Sequence, residues 1–357
     1  MKRTCLYINF ALDGNYGGGK FNETMLEMLR ELFGEVDSMT FPAGVSKAKL
    51  LRNTLGGYLN GMDAAFAQSV IRQLAAKRYD VAFLASSNFG RLAKAIKAAH
   101  PEVKVCVLFN NIELNFIKSQ LATGFKPQLL LTLAATYLSE RNVARHADRL
   151  IVLNGREAGE LQRIYGRTAD AIIPIILKDE CAEAAPPAPA TARGGGRLTG
   201  LFVGSRFYAN VHAVEWFARN VAPQLKDTEI EVVGKGFEAE RRLQTGTMRI
   251  VGTVDSVADH YAKADFVIAP IFKGAGMKVK VAEAMMYGKT VLGTPEAFEG
   301  YSDAGRWGVV CRTAADFIEA INGRTFPCGY NAAARACFME NYEYNSVKDK
   351  VAGLFNF

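Results

Sequence analysis

The chain has 357 residues, longer than most single hydrophobic cores, so two domains with a cleft between them are expected. Its 49% hydrophobic and 22% charged residues are typical of a soluble globular protein, and no run of about 20 uncharged apolar residues predicts a membrane span. The net charge of +7 favours anionic partners, but the basic residues are dispersed and no nucleic-acid-binding motif is found, so nucleic acid is not an expected partner.

The amino-terminal stretch and the cysteines predict the compartment. MKRTCLYINFALDGNYGGG has no signal-peptide cleavage pattern. The cysteines show no close metal-ligand spacing and are interpreted as reduced thiols. They stand at positions 5, 106, 181, 311, 328 and 337. A cytoplasmic protein is therefore expected.

The first half of the chain alternates apolar runs of strand length with amphipathic stretches of helical length, which predicts a parallel sheet covered by helices. Parallel strands buried on both faces lose the alternation of polar and apolar residues. The runs predicted as strands are 5–10, 81–85, 103–109, 149–153 and 171–176. The stretches predicted as helices include 20–33, 63–78, 89–99 and 155–165.

A segment rich in Pro, Ala and Gly, at 181–197, predicts a linker, and the strand-helix alternation starts again after it. The later runs predicted as strands are 198–204, 229–234, 248–252, 265–271, 290–294 and 307–311. The expected fold class is therefore α/β, with two Rossmann-like, doubly wound parallel-sheet domains facing each other across a cleft. The predicted limits are 1–180 for the first domain, 198–340 for the second, and 341–357 for a helix that packs back on the first.

The stretch FKGAGMKVKVAEAMMYGKTVLGTP, at 272–295, carries the strongest local signal for a ligand site. A glycine-rich turn between a strand and a helix leaves backbone N–H groups that a phosphate can approach. Lys278 and Lys280 add positive charge, and Glu283 lies one turn into the helix, where a carboxylate suits a diol. The alternative at this point is a plain turn followed by an i,i+3 surface pair of Lys280 and Glu283.

The same residues carry a family resemblance. The run GAGMKVKVAEAMMYGKTVLGTPEAFEG, at 274–300, resembles the donor-site signature of retaining glycosyltransferases of family 4, whose two-Rossmann fold is called type B. LFVGSRFYANVHAVEWFARNVAPQL, at 201–225, is similar to the first strand and helix of the second domain in one branch of that family. The first half is similar more loosely, through segments at 17–29, 108–119 and 151–166.

The resemblance implies a role for individual residues of the second domain. Glu283 matches the glutamate that binds the ribose hydroxyls of the nucleotide, and Arg206, Lys278 and Lys280 stand where basic side chains neutralise the diphosphate leaving group. The loop that meets the donor through its amides consists of Gly274, Ala275, Gly276, Met277 and Lys278. Glu299 matches a cleft loop whose role is left unspecified.

In the first domain, the resemblance implies that Gly17, Gly18 and Gly19 form a loop facing the donor phosphates or the acceptor. Two departures from the family pattern bear on activity. Ala275 stands where many members have a sugar-contacting glutamate, and Asn110 stands where the branch has a histidine that contacts the transferred sugar. Asn110 can form hydrogen bonds but cannot exchange a proton near neutral pH.

The implied mechanism uses no general base from the protein and no metal or other cofactor. The acceptor attacks from the face that the nucleotide leaves, the departing phosphate oxygen takes the proton, and backbone dipoles and fixed cations stabilise the charge on the diphosphate. The expected partners are a nucleotide-sugar donor and a glycan, lipid-linked or protein acceptor. The expected role is the synthesis of cell-surface polysaccharide or glycoconjugate.

Other functions remain open from the sequence. Asn110 and Ala275 also fit a catalytically weak subunit that binds a sugar nucleotide or a partner on the same fold, and a nucleotide-sugar epimerase is the other alternative among enzymes. The basic helical tract at 117–149 has two interpretations, docking on an acidic membrane at its inner face or a solvated helix face. Its basic residues include Lys118, Lys126, Arg141, Arg145 and Arg149.

Overall fold

The protein is described by a computed structural model, which covers residues 3–11, 17–42, 44–123, 127–181 and 196–356. The chain forms two compact units. Unit 1 comprises Met1–Pro174 and Val347–Phe357, and unit 2 comprises Ile175–Ser346. The predicted linker lies mostly outside the described residues. No helix in the described ranges is long and apolar enough to cross a membrane.

Unit 1 is built on a six-stranded parallel sheet with the order β2-β1-β3-β4-β5-β6. Its central strands are apolar because helices cover both faces, and every residue of the third strand is buried. The strands are β1 Thr4–Phe10, β2 Glu35–Phe41, β3 Val81–Leu84, β4 Lys104–Phe109, β5 Arg149–Val152 and β6 Ala171–Ile172.

The helices of unit 1 begin at polar capping residues in several places. Asp63 accepts a hydrogen bond from the backbone N–H of Phe66, and Asn154 accepts one from Glu157, each at 2.9 Å. The helices are α1 Gly17–Leu32, α2 Lys47–Leu55, α3 Ala64–Ala76, α4 Gly90–Ala99, α5 Glu113–Thr123, α6 Pro127–His146 and α7 Gly155–Tyr165, with a short 3₁₀ helix at Ser87–Phe89.

Unit 2 repeats the architecture with a six-stranded parallel sheet in the order β12-β11-β10-β7-β8-β9. Its strands are β7 Leu198–Val203, β8 Thr228–Val233, β9 Met248–Gly252, β10 Phe266–Ala269, β11 Val291–Gly293 and β12 Gly308–Val310. Its helices are α8 Tyr208–Asn220, α9 Ala258–Lys263, α10 Val279–Met286, α11 Ala304–Trp307, α12 Ala314–Gly323 and α13 Ala332–Asn341, with 3₁₀ helices at Ala222–Gln224 and Phe237–Leu243.

The last helix, α14 Tyr344–Gly353, runs into the carboxyl-terminal segment of unit 1. Lys348 pairs with Glu31 of α1, and the Phe355 ring packs edge-on against Phe33, with 4.9 Å between the ring centroids. The Arg3 side chain donates a hydrogen bond to the backbone oxygen of Phe355. These contacts tie the end of the chain to the first strand and helix of unit 1.

The strand content predicted for unit 1 needs two corrections. β2 was not predicted, because it is an edge strand whose side chains are mostly exposed or half-buried. The strand predicted at 171–176 ends at Ile172, since Pro174 has no N–H to donate to a neighbouring strand. The following residues join unit 2, where Leu177 exchanges backbone hydrogen bonds with Tyr342 and Tyr344 at 3.0 Å. The change of unit therefore comes before residue 180.

Candidate functional site

The order of the strands in unit 2 locates the candidate site. β7 is followed along the chain by β8 on one side, whereas β10 lies on its other side. Ligands of open parallel sheets bind at such a switch point, beside the carboxyl ends of the two strands. The residues that follow β7 include Arg206, and those that follow β10 form the 270–278 loop, which leads into α10. The predicted donor residues of unit 2 therefore lie at the switch point.

The 270–278 loop owes its path to glycine. Gly274 has φ 142° and Gly276 has φ 64°, in the region that side chains disfavour. The helix begins at Val279 and not directly after Gly276, and Lys278 occupies its N-cap position in an extended conformation, without a side-chain capping bond. The Tyr301 hydroxyl donates a hydrogen bond to the backbone oxygen of Lys278 at 2.9 Å, which holds the loop in place.

Lys280 lies where α10 meets the end of β7. Its Nζ donates a hydrogen bond to Asn210 Oδ1 at 2.7 Å and lies 4.0 Å from the centroid of the Phe202 ring. A Cβ at Gly204 would lie only 2.8 Å from that Nζ, so the absence of a side chain at Gly204 makes room for the amine. The amine is thus held by an amide and an aromatic face, without a hydrogen bond to a carboxylate in the described structure.

The electrostatics of Lys280 follow from this position. Burial lowers the pKa of Lys280 to about 7, with the nearby Lys278 acting in the same direction and Glu283 opposing it. An anion placed beside the amine would favour its charged form. Lys280 is therefore suited to take up a proton when a diphosphate arrives.

Lys278 has a different environment from Lys280. Its Nζ pairs with Glu296 Oε1 at 2.9 Å and donates a hydrogen bond to the Gly276 carbonyl at 2.7 Å. Both charged side chains are largely buried, with 10% and 21% exposure. The ion pair neutralises the Lys278 charge within the loop, so this lysine fixes the loop in addition to any contact with a ligand.

Arg206 extends from the end of β7 into solvent, with half of its side chain exposed. Its Nε lies 2.8 Å from Glu240 Oε1, and Arg242 lies 2.9 Å from the other oxygen of the same buried carboxylate. One carboxylate thus orients two guanidinium groups, and the trio keeps a net positive charge. Arg206 is suited to meet an anion from the solvent side of the site.

Glu283 is buried on α10, with 8% of the residue exposed. The Tyr261 hydroxyl lies 3.5 Å from Glu283 Oε2, and the Tyr261 ring stacks on Tyr287 with 4.5 Å between centroids. This aromatic pair forms a rigid wall beside the carboxylate. Glu299, by contrast, lies half-buried after β11, and the structure gives no further indication of its role.

The predicted residues of unit 1 lie at the carboxyl edge of the other sheet. Gly17, Gly18 and Gly19 open α1, and the loop that leads to them lies outside the described residues. Asn110 follows β4 and donates a hydrogen bond from Nδ2 to the Ala85 carbonyl, at the end of β3, at 3.3 Å. The Asn110 Oδ1 is buried and has no hydrogen-bond partner in the described structure.

Sequence reasoning missed the residues that hold the predicted ones in place. Asn210 anchors Lys280, Glu296 neutralises Lys278, Glu240 orients Arg206, and Tyr261 faces Glu283. Each follows a strand or lies on a helix of unit 2, but nothing in the spacing pairs it with its partner. The one available signal was that a polar Asn210 and a charged Glu240 interrupt otherwise apolar helical patterns.

The comparison with known families covers this site. Residues 197–323 match the family model described as Glycosyl transferases group 1. The match confirms the prediction of a glycosyltransferase. The matched stretch of this glycosyltransferase includes Arg206, the 270–278 loop, Lys280, Glu283 and Glu299. The comparison with curated proteins gave no match.

Solved structures resemble the glycosyltransferase over its full length. Sucrose-phosphate synthase from Thermosynechococcus elongatus has a TM-score of 0.77 at 16% identity, covering 99% of this chain and 98% of that one. Anabaena HepE in complex with UDP and glucose has a TM-score of 0.65 at 11% identity, covering 98% of each chain. The α,α-trehalose 6-phosphate synthase from Burkholderia multivorans has 0.65 at 14% identity, covering 99% of this chain and 96% of that one. These similarities confirm the predicted fold of two Rossmann-like domains.

Proposed function

We propose that the protein transfers a sugar from a nucleotide-sugar donor, with retention of configuration, to a glycan, lipid-linked or protein acceptor. The transfer would serve the synthesis of cell-surface polysaccharide or glycoconjugate in the cytoplasm. The observation that carries the proposal is the pairing of a buried amine, Lys280, with a buried carboxylate, Glu283, on one helix at the switch point of unit 2. An amine suits a diphosphate, and a carboxylate suits the ribose diol beside it.

The donor side of the proposal uses side-chain cations and backbone amides and needs no metal ion. Lys280 and Arg206 would meet the diphosphate, and the 274–278 loop would approach it with its main chain. HepE is described in complex with UDP, with UDP and glucose, and with UDP-glucose, so a uridine nucleotide is the first donor to test.

The reaction proposed is a single exchange at the anomeric carbon. The bond from that carbon to the diphosphate oxygen breaks, and a bond to the acceptor oxygen forms on the same face. The acceptor proton moves to the departing diphosphate oxygen, so no side chain has to act as the base. The task of the protein is to stabilise the charge that builds on the diphosphate, and the loss of one preorganised donor of this kind costs about a hundredfold or more in rate.

The acceptor side of the proposal rests on amides in unit 1. The Oδ1 atoms of Asn88, Asn110 and Asn111 and the Nδ2 of Asn154 are buried without a hydrogen-bond partner in the described structure. These residues follow β3, β4 and β5, neighbouring parallel strands whose carboxyl ends share one edge. Since buried amides are normally hydrogen-bonded, they suit an uncharged ligand with several hydroxyl groups, as a sugar has.

Nucleotide binding provides the first experiment. A thermal-shift screen against UDP, GDP and ADP should show stabilisation by one of them, about 2.7 kcal/mol at a hundred times its dissociation constant. Glu283→Ala should remove the shift, whereas Glu319→Ala, at an exposed position on α12, should keep it. An unchanged shift in Glu283→Ala would refute the ribose role of Glu283.

Turnover is the second experiment. The protein is incubated with UDP-, GDP- and other activated sugars, and nucleotide release is measured with and without acceptor glycans. Release that depends on the acceptor, with an α-anomeric product from an α-linked donor, supports retaining transfer. Nucleotide binding without any release would instead indicate a sugar-nucleotide-binding subunit, the alternative that Asn110 and Ala275 left open.

A further inference from the structure

Large apolar side chains are exposed on two helices of unit 1 that contact each other, α2 and α6. The sequence predicted a membrane contact only for the basic tract that includes α6. We call the exposed set the leucine surface, and define it by six residues. They are Leu50 at 41% exposure, Leu51 at 50%, Leu55 at 68%, Leu130 at 50%, Tyr137 at 39% and Leu138 at 52%.

The α2 helix is inverted relative to an ordinary surface helix. Its buried residues are Asn53 and Thr54, while its leucines face solvent. Asn53 Nδ2 donates a hydrogen bond to the Gly61 carbonyl at 3.0 Å, and the Thr54 hydroxyl donates one to the Leu50 carbonyl at 2.8 Å. The polar face is thus satisfied inside the unit, so core packing does not account for the leucines. A contiguous exposed apolar patch of this kind marks an interaction surface.

The charges on these helices identify the occupant. The α2 sequence KAKLLRNTL contains Lys47, Lys49 and Arg52 and no acidic residue. On α6, Glu140 is fully buried and hydrogen-bonded inside the unit, whereas Arg145 is exposed in the last turn. Leucines flanked by cations, without acidic side chains among them, complement an apolar layer beneath anionic head groups.

We propose that the leucine surface docks unit 1 onto an anionic lipid bilayer, with the leucines of α2 and α6 entering the head-group boundary and the basic residues of α2 contacting lipid phosphates. A second copy of the chain fits less well, because joining two α2 helices would bring six cations together without a carboxylate between them. The proposal does not depend on the donor site, and it differs from the predicted tract in its members. Arg149, in particular, pairs with Asp170 at the start of β5, with 3.1 Å between Nη1 and Oδ1.

The test is co-sedimentation of the full chain with vesicles. Vesicles that contain 30% phosphatidylglycerol in phosphatidylcholine are compared with vesicles of pure phosphatidylcholine, at two salt concentrations. We expect binding to the anionic vesicles, at least about tenfold stronger than to the neutral ones and weaker at high salt. Equal binding to both vesicle types, or no binding to either, would overturn the proposal.

Paired variants distinguish the apolar and the charged parts of the surface. Leu51→Ser with Leu55→Ser, and separately Lys47→Glu with Arg52→Glu, should each reduce vesicle binding about tenfold. The matched controls lie in unit 2, where Met339 is 40% exposed and Arg312 is exposed, so Met339→Ser and Arg312→Glu should bind as the unmodified protein does. Equal losses in the controls would contradict the assignment to α2.

Two further measurements separate docking from misfolding and self-association. The nucleotide-induced thermal shift should be the same in the α2 variants and the unmodified protein, since these residues lie outside unit 2. Light scattering without vesicles should show no change of mass in the leucine variants. If the unmodified protein is instead a dimer that Leu51→Ser with Leu55→Ser dissociates, the leucine surface joins copies of the chain and the lipid proposal is wrong.

Discussion

Units 1 and 2 have sheets of the same size and direction, but they bury opposite kinds of charge near their carboxyl edges. In unit 2, burial lowers the pKa of Lys280 to about 7. In unit 1, burial raises the pKa of Glu140 to about 7 and that of Glu113 to about 8. Both shifts have the same cause, because an apolar environment disfavours whichever form is charged.

The surroundings of the two groups differ in what they leave open. The Glu140 carboxylate accepts hydrogen bonds from Tyr165 Oη at 2.6 Å, the Glu113 N–H at 2.8 Å and Ser87 Oγ at 3.1 Å, so unit 1 itself satisfies it. Lys280 is held by one amide and an aromatic ring. The comparison teaches that one sheet architecture can present either a cationic or a neutral edge, which suits an anionic donor to unit 2 and an uncharged acceptor to unit 1.

Removal of the buried amine should have the largest effect. Lys280→Met keeps the length of the side chain but removes its charge, so we expect UDP affinity and kcat/KM for the donor to fall by about a hundredfold or more. Lys263→Met, at an exposed position on α9, is the control. Donor kinetics and calorimetry measure both variants. Wild-type donor kinetics in Lys280→Met would show that the cationic edge of unit 2 is not where the diphosphate binds.

The pH dependence of nucleotide affinity should sharpen the same comparison. Below pH 7 the Lys280 amine is already charged in the unliganded protein, whereas above pH 7 binding must include the uptake of a proton. UDP affinity should therefore fall from pH 7 to pH 9, by up to about tenfold for each pH unit until the pKa of the bound state is passed. Calorimetry in buffers with different ionisation enthalpies measures the proton uptake directly.

Lys280→Arg supplies the control for that profile, because a guanidinium stays charged throughout this range. The variant should bind UDP without proton uptake and with a flatter pH profile. If the unmodified protein takes up no proton at pH 8, Lys280 does not face the diphosphate.

Asn110→Ala tests the neutral edge of unit 1. The loss of one hydrogen bond of about 1 to 1.5 kcal/mol should reduce kcat/KM for the acceptor about tenfold. The thermal shift with UDP should not change, since the nucleotide is assigned to unit 2. Asn220→Ala, at an exposed position at the end of α8, serves as the control. A loss of UDP binding in Asn110→Ala, with acceptor kinetics intact, would reverse the assignment of the two units.

The smallest expected effect is on the stability of unit 1. Because the pKa of Glu140 is raised from 4.5 to about 7, the folded unit keeps a proton that the unfolded chain has lost between these values. The free energy of unfolding should therefore fall as pH rises from 5 to 7, by up to about 1.4 kcal/mol for each pH unit. Glu140→Gln should flatten this dependence.

Urea unfolding at pH 5 and pH 7 measures the effect. Both tryptophans, Trp216 and Trp307, lie in unit 2, so their fluorescence reports that unit while circular dichroism reports both. A pH dependence that appears in the fluorescence transition and not in the dichroism would contradict the origin of the effect in unit 1.

Much of the fold could be predicted from the sequence, because buried parallel strands are continuous apolar runs. The predicted strand at 248–252 coincides with β9, and the run at 5–10 lies within β1. β2 could not be predicted, since its residues Glu35, Asp37 and Ser38 are polar and the strand is defined by its pairing with β1. The signal for an edge strand lies in its neighbour and not in its own composition.

The candidate site could be predicted only in part. The positions of Lys280 and Glu283 on a helix after a glycine-rich loop follow from the local pattern, and the structure places both there. The partners could not be predicted, because they are distant in sequence. Asn210 is separated from Lys280 by 70 residues, Glu240 from Arg206 by 34, and Glu296 from Lys278 by 18.

The sequence by itself determined that this chain has two parallel-sheet units and that a basic, glycine-rich loop ends one strand of the second. These properties depend on local periodicity and on the conformations that glycine allows. Only the tertiary structure decided that the charge of Lys278 is already paired, that the charge of Lys280 is lightly held, and that the leucines of α2 face outward. Ion pairing, burial and exposure are set by side chains that meet from distant parts of the chain, and the pKa of each group follows from those contacts.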